Sequence, residues 1–387
     1  MTKPSEGKTK SESQKAMDPR PTKEQQETLA LRSQVTLLTV ERNRLKRELK
    51  LGAMEYGIFR ALVDEMQAVV SPLESLPPVR RVYEPNTVKE TLVMHLSDMH
   101  ADEEVHPHMV GGLERYGLDV ATCRAERYVD TVIKFSQETL ANHQFDNLVI
   151  LSYGDHTSGE IHGGVSHSSY HNQFRNSLAI GQLQALMIRD LAPYFKKVDI
   201  LCLPGNHGRR TPKKEYNGPW NNWDYLISEI ARMHCADLKN VAFQIPECFS
   251  VCLNIEGHQF YIAHGDDIKS WNSIPFYGIE RKTRRLVALH HAMTDTKVRY
   301  FVFGHFHMLS TMSDLNGETI INGAWIGTSP YGYESFSGYR EPKQLIHGVH
   351  PKYGMTWRLD VKLKDVEAEA KGPQRYKMIL ADKEFSQ

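Results

Sequence analysis

Past residue 90, short apolar runs alternate with amphipathic stretches, the pattern of an α/β domain. Leu92–Leu96, Asn147–Leu151, Val198–Leu203, Gln259–Ala263 and Tyr300–Phe303 are dominated by aliphatic, β-branched or aromatic side chains. Near-continuous apolarity over so few residues predicts strands buried on both faces. A period of 3.6 predicts a helix over 121–142, with Ala125, Val129, Val132 and Phe135 on one face, and further helices over 178–191, 225–233 and 279–293. Strand-like segments over 318–321 and 356–362 finish a second sheet. The expectation is an α/β fold: a sandwich of two sheets flanked by helices over 92–363, followed by a C-terminal tail, 364–387, that reads as a short helix or frayed end.

The chain before residue 92 reads differently. Residues 1–26 have almost no apolar content, which predicts a disordered tail. From Leu31 a heptad takes hold through Val35, Leu38, Arg42, Leu45, Leu49, Gly52, Tyr56, Phe59, Val63, Met66 and Val70, interrupted only by Arg42 and Gly52. That stripe predicts a long helix over 27–71, which either pairs as a coiled coil, making a homo-oligomer through residues 31–70, or folds back on the following domain. Ser71-Pro72 ends it, and Pro77-Pro78 and Pro85 mark a linker over 72–91.

Each of the five predicted core strands is followed within a few residues by polar side chains that bind metals: Asp98-Met99-His100, Gly154-Asp155, Gly205-Asn206-His207, His264-Gly265-Asp266 and Gly304-His305-Phe306-His307. Singly, such tripeptides are ordinary turns. Together they lie at the strand ends where α/β sheets gather ligands, so they can converge on one rim. Two carboxylates, an amide oxygen and several imidazoles suit two divalent ions bridged by a carboxylate. Imidazole and carboxylate without thiolate suit Mn, Fe, Zn or Co alike, and the expected cofactor is two divalent ions, Mn²⁺ first, with Fe, Zn or Co as alternatives.

The five motifs, in this order, resemble those of the calcineurin-like metallophosphoesterase superfamily. The resemblance implies a two-sheet sandwich with a dinuclear site at the sheet ends. It implies that Asp98, His100 and His307 hold the first ion, Asp155 bridges, and Asn206, His264 and His305 hold the second. His207 would be the general acid or a contact to the phosphoryl oxygens. The activity so implied is metal-dependent phosphoester hydrolysis, a metal-bound hydroxide attacking phosphorus in line with the leaving group.

Two departures from that pattern stand out. The third motif usually continues with an acidic residue, and here it continues with Gly208, Arg209 and Arg210. The second runs Gly154-Asp155-His156-Thr157-Ser158-Gly159-Glu160, unlike the protein-phosphatase branch. His156, beside Asp155, is the candidate replacement for the missing partner of His207; His162, His167 and His171 follow in a Gly/Ser-rich stretch that reads as a loop over the site.

Trp325, Tyr331, Tyr333, Phe336 and Tyr339 near Arg340, and Trp220 and Trp223 after Arg209, Arg210, Lys213 and Lys214, interleave rings with positive charge. That pattern favours a phosphodiesterase or nuclease acting on nucleotides or single-stranded nucleic acid, with Arg209, Arg210, Tyr331 and Tyr333 as substrate contacts. The alternative is a phosphomonoesterase, including a divergent protein phosphatase. A second alternative is a partner-binding scaffold with a non-catalytic phosphoesterase domain, against which the full ligand set argues. The formal net charge of zero across 387 residues confines any nucleic-acid contact to a local patch. Five cysteines without a Cys-x-x-Cys pair read as reduced thiols of a cytoplasmic protein, and no apolar run reaches the ~18 residues of a membrane span.

The stripe through Leu38, Leu45 and Leu49 would contribute on the order of 1.5–3 kcal/mol per side chain buried in a partner helix. Deleting residues 1–80 is expected to leave hydrolysis of a small substrate intact and to lower the solution mass from oligomer to monomer. Light scattering decides this, and a full-length chain already monomeric sinks the coiled coil.

Overall fold

The computed structural model describes residues 87–377, apart from 141, 162–167, 212, 215–217, 270–274 and 295–296, and of the N-terminal part residues 39, 41–43 and 46, which are helical. The heptad stripe, the linker, His162, His167 and the last ten residues therefore lie outside the described residues, save Arg42 of the stripe and the linker's final residues from 87 on. The chain divides into two compact units, 1–69 and 70–387.

The second unit runs β1 (Val88–Lys89), β2 (Thr91–Leu96), α1 (Leu118–Lys134), β3 (His143–Gln144), β4 (Asn147–Tyr153), α2 (Gln173–Leu191), β5 (Lys197–Leu203), α3 (Trp223–His234), β6 (Val241–Gln244), β7 (Ser250–Ile255), β8 (His258–Ala263), α4 (Phe276–Thr294), β9 (Val298–Phe303), β10 (Ser310–Asp314), β11 (Gly317–Ile321), α5 (Pro330–Phe336), β12 (Lys343–His350), β13 (Gly354–Lys362) and α6 (Val366–Lys371). One mixed sheet has the order β13-β12-β2-β4-β5-β6, the other β10-β11-β9-β8-β7, and β1 pairs β3 as a small ribbon. Strands β2, β4, β5 and β6 are parallel, as are β8, β9 and β11. A mixed α/β sandwich of two sheets flanked by helices is the architecture.

Strand alternation builds its layers. Leu92, Met94, Leu148, Ile150, Val198 and Ile200 face α1, α2 and α3, packing with Val129, Ile180, Leu183 and Ile227. The opposite faces of the same strands, with Val93, Val149, Leu151 and Leu201, meet Phe260, Ile262, Tyr300, Val302 and Ile320 between the sheets. The outer face of the second sheet, with Tyr261, Phe301 and Phe303, takes Ile279 of α4. Burial on both faces accounts for the unbroken apolar runs.

Helix ends differ from their periodicity for local reasons. α1 stops at Lys134 and a π turn, Phe135–Thr139, follows, so the predicted 121–142 helix is shorter and starts earlier. α2 begins at Gln173 because Asn172 caps it, its Oδ1 accepting from Arg175 N at 3.1 Å. The C-terminal segment is docked as far as Tyr376, which is 3% exposed, with its hydroxyl donating to Asp190 Oδ2 at 2.9 Å. Arg124 of α1, fully buried, bonds Glu114 Oε1 (3.0 Å), Glu369 Oε1 of α6 (2.8 Å) and the carbonyl of Trp325. Trp325 N in turn donates to Asp98 O at 3.0 Å, so this buried ion network reaches the rim where the motifs meet. All five cysteines are free, and no described helix is long and apolar enough to cross a membrane.

Candidate metal centre

The five motifs leave the carboxyl ends of β2, β4, β5, β8 and β9, and those strands are neighbours within the two facing sheets. Three sets of side chains bring one ligand atom each within 4.8 Å of one another: Asp98, His100 and His307; Asp155, His264 and His305; and His100, Asp155 and His207. Asn206 joins the second set, its Oδ1 lying 3.1 Å from His264 Nε2. Asp155 is common to the second and third sets and His100 to the first and third, so the three overlap as one continuous cluster of candidate ligands.

The backbone at these positions is unusual. Asp98 (φ 52°), His100 (44°), Asp155 (54°), His305 (65°) and His307 (52°) all lie in the left-handed region, as do only three other non-glycine residues among those described. Each such conformation costs about 1–3 kcal/mol and persists only where its surroundings fix it. Here they do: His305 N donates to Asp98 Oδ1 at 2.8 Å, His207 N to Asp155 Oδ1 at 2.8 Å, and Asp98 N to Gly154 O at 3.0 Å. The motif glycines follow from that proximity. A Cβ on Gly205 would collide with Asp155 Oδ1, and one on Gly304 with Asp98 Oδ2.

The donor set fits divalent ions. Asp98 and Asp155 are 0% and 1% exposed, and the Oδ2 of each is buried without a hydrogen-bond partner. His264 Nε2 comes 2.9 Å from Asp155 Oδ2, an ion pair without the alignment of a hydrogen bond. The ring nitrogens away from the cluster are anchored: His264 Nδ1 lies 2.9 Å from Tyr153 O, and His100 Nδ1 3.2 Å from Ser158 Oγ, which donates to Glu103 Oε2 at 2.8 Å. Such outer partners fix the tautomer of a metal-binding imidazole and aim its Nε2 inward. His100 Nε2 accordingly faces His307 Nε2 at 3.2 Å.

Electrostatics point the same way. Burial would raise Asp98 and Asp155, but the neighbouring histidines outweigh it and hold both below the usual carboxylate range. Burial, followed by the charges of neighbouring histidines, holds His100 far below the imidazole range and His305 down at about 4, so both are neutral. His264 goes the other way: burial opposes its charge, yet Asp155 and Asp98 lift it to about 10. Without an ion, the proton on His264 supplies the positive charge that two buried carboxylates require.

The remaining candidates divide. His207 stacks edge-on to His100 with ring centroids 4.7 Å apart, and its Nδ1 lies 3.1 Å from Ser158 O. His156 is not its partner: the ring is fully buried and its Nε2 bonds Ser152 Oγ at 2.8 Å. His171 lies exposed at φ 48°. Arg209 is turned back onto Asn206 O (2.9 Å), while Arg210 is exposed over the Trp223 ring at 5.8 Å. Tyr331 is 70% and Trp220 50% exposed, whereas Trp325 is a fully buried core residue and Trp223 is 5% exposed. Tyr333, expected as a substrate contact, packs half-buried against the helix-side core, because the segment folds as α5 with Ser329 as its cap.

Sequence reasoning missed three contributors. Asp102, 1% exposed, accepts from Ser158 N (2.8 Å) and Thr157 Oγ1 (2.7 Å), and burial pushes its pKa to about 6. Glu103 anchors Ser158, and Asp224 binds backbone amides of two motif loops. The only signal for Asp224 was a helix start, Asn222 followed by an acid in the first turn, which reads equally as an ordinary cap.

No family profile matches the chain, and no curated protein matches it. Among solved structures it is similar to a hypothetical protein from Pyrococcus horikoshii at 10% identity, covering 73% of this chain and 92% of that one with a TM-score of 0.36. It is similar to a single mutant of Vps29 from Entamoeba histolytica at 12% identity, covering 70% and 99%, TM-score 0.30. An archaeal phosphodiesterase gives 10% identity, 70% and 99% coverage and a TM-score of 0.30.

An imidazole must be neutral to bind a metal, so an ion at His264 displaces the proton held there up to about pH 10. Between pH 7 and 9, Mn²⁺ binding is expected to release about one proton and to tighten about tenfold per pH unit. Calorimetry in buffers of different ionisation enthalpy measures both, and a pH-independent affinity with no proton released counts against His264 as a ligand.

Proposed function

We propose that this protein is a member of the calcineurin-like metallophosphoesterase superfamily and a two-metal phosphoester hydrolase, with Mn²⁺ as the favoured ion. The observation that carries this reading is the pair of buried carboxylate oxygens, on Asp98 and Asp155, that have no hydrogen-bond partner yet face imidazoles, of which His100 and His264 are anchored from behind. Asp98, His100 and His307 would hold one ion, Asn206, His264 and His305 the other, and Asp155 both. Such a pair of ions supplies charge neutralisation for the phosphoryl oxygens and acidifies the attacking water.

The chain's own residues supply the rest. The carbonyl of Ser158 accepts from His207 Nδ1, so the proton that His207 delivers to a leaving oxygen is the one on Nε2. Asp102 and Glu103, through Ser158 and its loop, keep His100 and His207 at their edge-to-face separation. Exposed Tyr331 and Trp220, with Arg210, support a phosphodiester or single-stranded nucleic-acid substrate, since rings stack on bases without regard to sequence and guanidinium groups pair with phosphates.

Asp155→Asn is expected to lose bound metal and turnover together, whereas His207→Ala keeps both ions and loses about 10²–10⁴-fold in turnover, the ordinary worth of a general acid. Metal analysis beside rates on a chromogenic diester separates them; two ions retained in Asp155→Asn refute the shared ligand.

With Mn²⁺ present, single-stranded DNA or a diester is expected to turn over faster than a monoester. Tyr331→Ala should weaken DNA binding by about 1–3 kcal/mol while sparing the small diester. Strong monoesterase activity with no diesterase activity would reverse the substrate assignment.

A further inference from the structure

Gly208 occupies the position where an acidic residue usually follows the third motif, and a side chain has no room there. Its Cβ would collide with Asn222 Oδ1 and stand 2.9 Å from Asp224 Oδ2. Asp224, from the first turn of α3, fills that space and is 1% exposed. Its Oδ2 accepts from Asp155 N and from Gly205 N, each at 2.9 Å, and its Oδ1 from His156 N at 3.0 Å. Asn222, the helix cap, accepts from Asp224 N at 2.8 Å and donates from Nδ2 to Gly205 O at 2.9 Å.

We propose that Asp224 is the positioning residue for the second metal subsite, a carboxylate supplied from α3 in place of the one missing at 208. The inference rests on the two-metal reading above. One oxygen atom ties the amide of Asp155 to the amide preceding Asn206, so it sets the separation of the shared ligand from the amide ligand of the second ion. A charged acceptor shared among three N–H groups holds more firmly than neutral ones, and the positive end of α3 stabilises its charge. The first subsite is tied to the same loop through Asp98 N on Gly154 O and His100 N on Asp155 O, but it has anchors of its own besides, Trp325 N on Asp98 O and Ser158 Oγ at His100. Loss of the clamp should therefore fall mainly on the second ion.

The test is Mn²⁺ titration calorimetry on the full chain, with metal content measured in parallel. In Asp224→Asn the amide keeps one acceptor oxygen and turns N–H groups toward a backbone donor. The expected result is two ions on the unaltered protein, and on Asp224→Asn a first ion held within about twofold and a second weakened about 10–100-fold, the usual effect of losing an outer partner. Ser228→Ala is the control: it removes the 2.8 Å bond from Ser228 Oγ to Asp224 O and loosens α3 while leaving the carboxylate in place, and should bind both ions normally.

Unchanged second-ion affinity in Asp224→Asn overturns the inference, as does equal weakening in Ser228→Ala at a similar loss of melting temperature. Fewer than two ions on the unaltered protein overturns the two-metal reading itself, and the two failures are thereby told apart. Should Asp224→Asn not fold, Gly208→Ala presses on the same carboxylate and cap with every polar group retained, and is read by the same outcomes.

Discussion

Two ionised carboxylates held out of water, Asp98 and Asp155, are the constraint around which the sheet ends are built. A carboxylate buried unpaired costs several kcal/mol, so each must meet donors or cations from several directions. One oxygen of each takes a backbone N–H from a different motif, His305 N for Asp98 and His207 N for Asp155. The other oxygen is left facing imidazoles. That requirement explains why the motifs must interlock, why glycines sit where chains approach, and why the loops accept left-handed backbone. It also separates two kinds of buried histidine. His95, packed between the sheets against Tyr153 and His347, is driven down to about 3 by burial alone, while His264, equally buried but facing carboxylates, is driven up.

The sandwich was legible because its central strands are buried on both faces and so leave unbroken apolar runs. β6, whose residues alternate between half-buried and exposed at the sheet edge, left none, and β12 was obscured by His347 and Gly348 although it is central. The five motifs that form the candidate centre were legible because each is contiguous and follows a strand. Asp224 was not, since what makes it part of the centre is a fold-dependent approach to two loops distant in sequence. The aromatic segments were less legible for the opposite reason. Ring and charge composition is the same for a stacking platform and for packing, and only burial distinguishes Trp325 and Tyr333 from Tyr331.

The scaffold extends beyond the two sheets. Arg124 joins α1 to α6 and to the turn that carries Trp325, whose amide holds Asp98 from behind. A buried charge network of this kind contributes little net stability against an apolar equivalent, but its geometry is unforgiving once in place. The C-terminal helix thereby takes part in fixing the first motif, far from where sequence proximity would place its influence.

The five left-handed residues at the centre make alanine and glycine replacements different experiments at the same position. Alanine removes the polar atom that the candidate centre offers but keeps a Cβ that resists the backbone conformation, so its effect mixes the lost interaction with unrelieved strain. Glycine removes both at once, at the expense of a more flexible unfolded chain. The difference between the two variants at Asp98 or His305 therefore reads the conformational strain the loop stores, once the entropy that glycine adds to the unfolded chain is subtracted.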